Sequence, residues 1–319
     1  MENSMEKIRL GISSCLLGEN VRYDGGHRHD RFLTDTLGQY VEYIPICPEV
    51  GCGLPVPREA MRLEGNPDSP RLMTIRTRQD MTDRMKTWSE KRVKELEKEG
   101  LCGFIFKSDS PSSGMERIKV YNEKAVPAKK GVGMFARIFM KHFPSLPVED
   151  DGRLNDPILR ENFIERIFVF KRWRELMMGR KGRGMLVDFH TRHKLLILSH
   201  SPRHYQLMGS LTAKANELSI KELHRQYQSI LMEALQVKAT PRKNANVLMH
   251  MMDYFKKELT SGEKQELLDL INNYREGRFP LIVPVTLIRH YVKKYDQPYL
   301  KEQVYLNPHP LELQLRNHV

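Results

Sequence analysis

The apolar positions of the first half fall into short blocks separated by polar loops. Residues 8–14 and 41–46 read as strands, 104–106 as the centre of a buried strand, and 72–75 as a short edge strand. Residues 82–99 carry helical spacing, with Met85, Trp88, Val93 and Leu96 on the inner face and Gly100 as the stop. Residues 133–142 read as another helix. Strands alternating with helices predict an α/β domain with a parallel sheet covered on both sides, over residues 1–148.

Residues 144–156 are rich in Pro, Asp and Gly, lack apolar periodicity and read as the seam. Asn155 or Asp156 then caps a helix with Pro157 in its first turn. The period changes from there. Ile158, Phe163, Ile167, Phe170 and Trp173 form a broad stripe that predicts a helix over 158–178. Helical patterns recur at 185–199, 203–217, 220–237, 243–259, 262–275 and 284–295. Strand signals are nearly absent, so residues 155–319 read as an all-α helical domain.

Composition narrows the class. The 319 residues are 40% hydrophobic and 8% aromatic, enough for packed cores, which excludes general disorder. No run of about 18 apolar residues occurs, so no membrane-spanning helix is expected. The first residues carry no apolar stretch of secretory-signal length. Four cysteines in this length make no disulfide scaffold. The expectation is a cytoplasmic protein with reduced thiols, and nothing in the pattern sets an oligomeric state.

The net charge of +12 is unevenly placed. Residues 1–150 hold 24 basic and 22 acidic residues, whereas residues 151–319 hold 28 and 18. Cys15, Cys47, Cys52 and Cys102 all lie in the near-neutral half. Nine basic residues against two acidic ones fall between Arg166 and Lys194, around the connector Gly179-Arg180-Lys181-Gly182-Arg183-Gly184. Beside Trp173, such a patch suits phosphate contacts and makes RNA a candidate partner, against the plainer reading of a solvated helix face.

Three loops carry the chemistry. The first strand runs into Ser13-Ser14-Cys15, the second into Cys47-Pro48-Glu49, and the 104–106 strand into Lys107-Ser108-Asp109-Ser110-Pro111-Ser112-Ser113. If the strands are parallel neighbours, all three loops leave the carboxyl edge, where open α/β sheets bind ligands. Thiolates are soft ligands suited to iron–sulfur clusters, zinc or copper(I). Glu49, two residues beyond a thiol, is placed to move protons. No CxxC pair supplies a closed zinc site. In the second half, His193 and His200 stand two helical turns, about 10 Å, apart, too far to share an ion. They and His190 read as structural, bonded to backbone or to Tyr205.

Cys15-Leu16-Leu17-Gly18, Val21-Arg22-Tyr23-Asp24-Gly25-Gly26, Cys47-Pro48-Glu49-Val50, the stretch from Gly53-Leu54-Pro55 to Arg58-Glu59, and Ser110-Pro111-Ser112 occur in one order. Together they resemble the 2-thiouracil desulfurase-like family over roughly residues 7–145. Phe189-His190, His193-Lys194, His200-Ser201 and Tyr305-Leu306-Asn307-Pro308-His309-Pro310 resemble the YbgA-like domain.

The first resemblance implies a 4Fe–4S cluster held by three cysteines, with one iron open to the sulfur of a thiolated base. Two ligands carry over onto Cys15 and Cys47, and the third falls on Ser113. Three outcomes stay open. Ser113 ligates as an alkoxide, Cys52 moves in from the same loop, or no cluster is held. A hydroxyl is far harder to deprotonate than a thiol, so a labile or absent cluster is expected. The resemblance further implies Glu49 as general base or acid and Ser110 as proton relay, with Ser112 as the weaker choice. Arg22, Tyr23, Asp24, Gly25, Gly26 and Lys107 then bind substrate. The expected function is desulfuration of a 2-thiouracil-like pyrimidine with release of sulfide. The alternative is a non-catalytic RNA- or protein-binding adaptor with a degenerate desulfurase domain.

Overall fold

The computed structural model describes residues 7–179 and 182–318. The first six residues, Arg180, Lys181 and Val319 therefore lie outside the description, and with them the centre of the basic connector. The chain forms two compact units that meet in sequence between Asp156 and Pro157.

Among the described residues, eight strands build the first unit: β1 (Ile8–Ser13), β2 (Val41–Ile46), β3 (Met61–Glu64), β4 (Arg71–Thr74), β5 (Gly103–Phe106), β6 (Ile118–Tyr121), β7 (Pro127–Gly131) and β8 (Val148–Asp150). Strands β2-β1-β5-β8 form one wholly parallel sheet. Strands β1 and β5 lie at its centre; β5 is a continuous apolar run buried on both faces, and β1 is buried at every position but Arg9. The chain winds outward from β1 to β2, then crosses to β5 on the other side of β1. That reversal opens a crevice beyond the carboxyl ends of β1 and β5.

Helix Met134–His142 covers one face through Phe135 and Phe139, whose rings lie 5.8 and 4.6 Å from that of Phe104. Helix Thr82–Leu96 packs beside it, with Trp88 5.8 Å from Phe135. The inner face expected for the 82–99 helix is buried at Met85, Val93 and Leu96 and half-buried at Trp88.

A second sheet, β4-β3-β6-β7, is mixed: the β3–β6 pair is parallel and the two outer pairs are antiparallel. The apolar pattern picked out only β4. These strands have four or five residues, and β7 (Pro-Ala-Lys-Lys-Gly) is a half-exposed edge that starts on a proline, where no ladder donor is needed. Strand β8 lies inside the stretch read as a seam. Its Glu149 and Asp150 are buried, so hydrophobic patterning misses it, and Arg153 Nε compensates Glu149 Oε1 at 2.5 Å.

The second unit is helical. Its main helices are Pro157–Met178, Arg183–His200, Pro202–Ala213, Ile220–Gln236, Pro241–Met252, Ser261–Arg275 and Ile282–Lys294. Several begin as capping chemistry dictates: Ser201, Ser219 and Thr240 each accept a hydrogen bond from a first-turn N–H, and Thr260 with Glu263 forms a reciprocal capping box. Trp173, Tyr227 and Leu231 are fully buried in its core. No described helix is long and apolar enough to cross a membrane.

Candidate functional site

The loops after β1, β2 and β5 meet around a cavity of about 530 Å³. Its wall includes Cys15, Arg22, Tyr23, Cys47, Glu49, Arg58, Lys107, Ser110 and Ser113. Each loop is held by its own local logic. Cys15 sits in a 3-10 turn, Ser14–Leu17, whose carbonyl at Cys15 accepts from Arg28 N at 2.8 Å. Ser13 Oγ accepts from Lys107 N at 2.9 Å and so ties the end of β1 to the end of β5. Cys47 precedes Pro48, which opens the short turn Pro48–Gly51. That turn packs on Trp88 so closely that a Cβ at Gly51 would stand 2.2 Å from the indole, which is why glycine is needed there.

Glu49 is the hub. Its Oε1 accepts from Ser112 Oγ at 2.5 Å, its Oε2 accepts the Cys47 thiol at 3.4 Å, and Arg58 lies 3.8 Å away. Ser110 Oγ lies 3.0 Å from Ser112 Oγ, and Ser112 Oγ lies 3.4 Å from Ser113 Oγ. A chain of hydroxyls therefore runs from the carboxylate to Ser110 and to Ser113. Ser112 is fully buried beneath the cavity and does not line it.

Burial pushes the Cys15 thiol up to about 11, against the pull of Lys107 and Arg22. Burial and then the Glu49 carboxylate push Cys47 up to about 12. Neither thiol is activated as a free nucleophile. A cationic ligand at either sulfur would stabilise its thiolate.

The other candidates separate. Arg22, Tyr23 and Lys107 line the cavity, whereas Asp24, Gly25 and Gly26 do not. Those three form a turn with Asp24 exposed and the glycines half-buried: Gly25 has φ +79°, and Gly26 N donates to Asp24 Oδ1 at 3.0 Å. Arg22 lies 3.5 Å from Asp24, so this turn buttresses the cavity wall. Cys52 does not reach the cavity. It packs against the core around Leu63, Leu72 and Met85, and its thiol donates to the Glu49 carbonyl at 3.3 Å. Cys102, just ahead of β5, is buried at the opposite end of that strand.

Arg58 and Asp151 were not picked out as site residues. Arg58 stood in a quoted motif but carried no assigned role. Asp151 stood in the apparent seam. It lies 2.9 Å from Lys107 Nζ and accepts from Ser108 N at 2.6 Å, which fixes the loop after β5.

In the helical unit the three histidines are internally bonded. His190 Nδ1 meets Tyr227 Oη at 3.2 Å, not Tyr205, and His193 Nδ1 donates to the Phe189 carbonyl at 2.7 Å. His200 lies between the Val237 carbonyl and Glu165. The basic run is largely committed within the fold. Arg172 donates to the Pro308 carbonyl, Arg183 to the Ala215 and Leu218 carbonyls, and Arg192 pairs with Asp188. Lys171 pairs with Glu175, and Lys194 sits 4.9 Å over the Tyr299 ring.

A parallel sheet with thiols and a carboxylate at its carboxyl edge, followed by a helical domain, defines the class. The family model described as 2-thiouracil desulfurase matches residues 10–151, and the one described as a protein of unknown function (DUF1722) matches residues 194–310. The chain is 35% identical over 153 residues to the uncharacterized protein YbgA of Escherichia coli (strain K12), covering 48% of this chain and 90% of that protein. Among solved structures it is similar to the 4Fe-4S-dependent thiouracil desulfidase TudS, at 29% identity and a TM-score of 0.39, covering 48% of this chain and 95% of that one. The chain belongs to the family YbgA represents, with a 2-thiouracil desulfurase domain in front of a DUF1722 domain.

The donor set fits an iron–sulfur cluster in part. Cys15 and Cys47 present two thiols on the cavity wall and Ser113 a hydroxyl, and no third thiol reaches that wall.

Proposed function

We propose that the N-terminal domain is a desulfidase acting on a thiolated pyrimidine, with Cys15, Cys47 and the Ser113 position holding a 4Fe–4S cluster. When bound, such a cluster supplies a Lewis-acidic iron for the substrate sulfur. The reaction is hydrolytic. Water adds at the thiocarbonyl carbon, the C–S bond breaks, and the base keeps the water oxygen while sulfide leaves.

The chain's own residues handle the proton and the substrate. Glu49 takes the proton of the attacking water, and Ser112 holds the carboxylate by its Oε1. Ser110, bonded to Ser112 and on the cavity wall, extends the path for that proton to the leaving sulfur. Lys107 and Arg22 place positive charge beside the Cys15 thiol and the developing anion, and Arg58 beside Cys47. Tyr23, 46% exposed, offers a ring face on which a pyrimidine stacks.

The observation that carries this reading is the convergence of Cys15, Cys47 and Glu49, the last held from beneath by Ser112, on one cavity at the sheet's carboxyl edge. Anaerobic reconstitution of Ser113→Cys tests it. This variant should bind more iron and acid-labile sulfide than the parent chain and should release sulfide from 2-thiouracil. If it takes up no cluster, the desulfidase reading fails. The serine at 113 favours a second reading, a domain that has lost the cluster and serves as a binding module. A parent chain that binds no iron while the cysteine variant does would support it.

A further inference from the structure

The helical unit holds a polar cluster that desulfuration leaves unused. Glu161 and Glu165 stand one turn apart on helix Pro157–Met178 and share a face. A carboxylate oxygen from each and a ring nitrogen of His309 lie within 4.8 Å of one another. Arg316 spans the two carboxylates, 3.2 Å from Glu161 Oε1 and 2.9 Å from Glu165 Oε1. His200 Nε2 lies 3.1 Å from Glu165 Oε2, and His318 Nε2 lies 3.3 Å from Glu161 Oε2.

His309 is the member this network does not close. It is 6% exposed. Its Nδ1 lies 3.1 Å from the Pro310 carbonyl, which can only accept, so Nδ1 carries the proton. Nε2 thus presents a lone pair, and it is buried with no hydrogen-bond partner. A buried acceptor nitrogen beside two carboxylates is costly to leave without a partner. An imidazole whose Nδ1–H rests on a backbone carbonyl is oriented as metal-ligating histidines are. A cavity of about 90 Å³ is lined by Glu161, Glu165 and Arg316 together with the exposed Ile158 and Phe279, and His309 lines a second cavity that shares Arg316.

We propose that Glu161, Glu165 and His309 form a binding site for a divalent first-row transition-metal cation in the helical domain. Two carboxylates and one imidazole are the donor types that hold Zn²⁺, Mn²⁺ or Fe²⁺ in three-ligand sites. His318 stands as a neighbouring nitrogen donor. The site owes nothing to the desulfidase reading and stands or falls apart from it.

Zn²⁺ titration of the full-length chain tests the site, in a Cys15→Ser/Cys47→Ser background that removes the thiol donors of the other domain. The chain is stripped with a chelator and desalted, and affinity is read by competition with a chromophoric chelator. One tightly held Zn²⁺ per chain is expected. Adding His309→Ala should weaken it by about tenfold or more, since even supporting partners are worth that much. Glu161→Gln keeps the shape and an acceptor for Arg316, and should weaken binding similarly with an unchanged far-UV circular dichroism spectrum. Absence of a tight Zn²⁺ in the background chain overturns the site. So does affinity unchanged by either substitution.

Discussion

Ser112 Oγ donates to Glu49 Oε1 at 2.5 Å and joins the loop after β5 to the turn after β2. The bond is fully enclosed on the serine side, and it fixes which oxygen of Glu49 is held and which faces the Cys47 thiol. In the reconstituted Ser113→Cys protein, Glu49→Gln should lower sulfide release by about 100-fold or more, the usual worth of a general base. Ser112→Ala should cost less in rate and about 1–2 kcal/mol in stability, because it leaves a carboxylate oxygen unpaired. Sulfide release and urea unfolding separate the two effects. A Glu49→Gln protein with full activity would remove Glu49 from the chemistry.

Asp151 supports the same cavity from the end of the sheet. It accepts from Ser108 N and pairs with Lys107, both mostly sheltered from water. Asp151→Ala strands the Ser108 amide and takes the counter-charge from Lys107, whose Nζ keeps the Ser108 carbonyl and hydroxyl, and should lower stability by about 1–3 kcal/mol. Asp151→Asn keeps an acceptor for Ser108 N and should lose roughly half of that. The urea transition that carries Trp88 fluorescence measures both. Equal losses in the two variants would show that the ion pair, not the backbone bond, is what Asp151 contributes.

Gly51 sets the distance between the Cys47–Glu49 turn and helix Thr82–Leu96. A methyl there would press on the Trp88 ring, with Cζ2 at 2.2 Å and Nε1 at 2.9 Å. Gly51→Ala should destabilise the domain by about 1–3 kcal/mol through overpacking and shift Trp88 fluorescence. Because the displaced turn bears Cys47, the same variant in the Ser113→Cys background should take up less iron. Unaltered fluorescence would mean the turn yields without cost.

How much of this was legible in the sequence depends on what each residue answers to. The parallel sheet was legible at β5, a continuous buried apolar run, and at β1 and β2 through their apolar positions, although β2 is a partly exposed edge. The meeting of three loops followed from that, as did the placement of Cys15, Cys47 and Glu49 on one edge. Strand β8 was not legible, because its Glu149 and Asp150 are buried through Arg153 and an N–H bond rather than through hydrophobicity. Asp151 went with it. The substrate roles expected of Asp24, Gly25 and Gly26 rested on a motif, and the side-chain-to-backbone bond that makes the motif a turn is local. His309 stood in a motif without a role. Its orphan nitrogen depends on Glu161, Glu165 and Arg316, and their proximity to it is tertiary.

The buried histidines of the helical domain predict its acid sensitivity. Burial beside Tyr227, with Lys194 nearby, holds His190 down to about 4. Burial, with the Arg172 charge adding to it, holds His193 down to about 3, stacked on the Phe189 ring at 3.8 Å. Both are neutral when folded and take up a proton on unfolding below the ordinary imidazole value of about 6.5. The unfolded chain therefore binds more protons across that window, so stability rises with pH within it. The contribution is fully present above about pH 6.5 and is lost progressively as pH falls towards 4 and then 3. At pH 5 the linkage amounts to about 2 kcal/mol for each histidine, roughly 4 kcal/mol for the pair. His190→Gln and His193→Gln remove the titrating group and place an amide in a similar space. Urea midpoints for the helical domain should fall between pH 7 and pH 5 in the parent and fall distinctly less in the double variant. Parallel pH profiles would mean that other groups govern its acid unfolding.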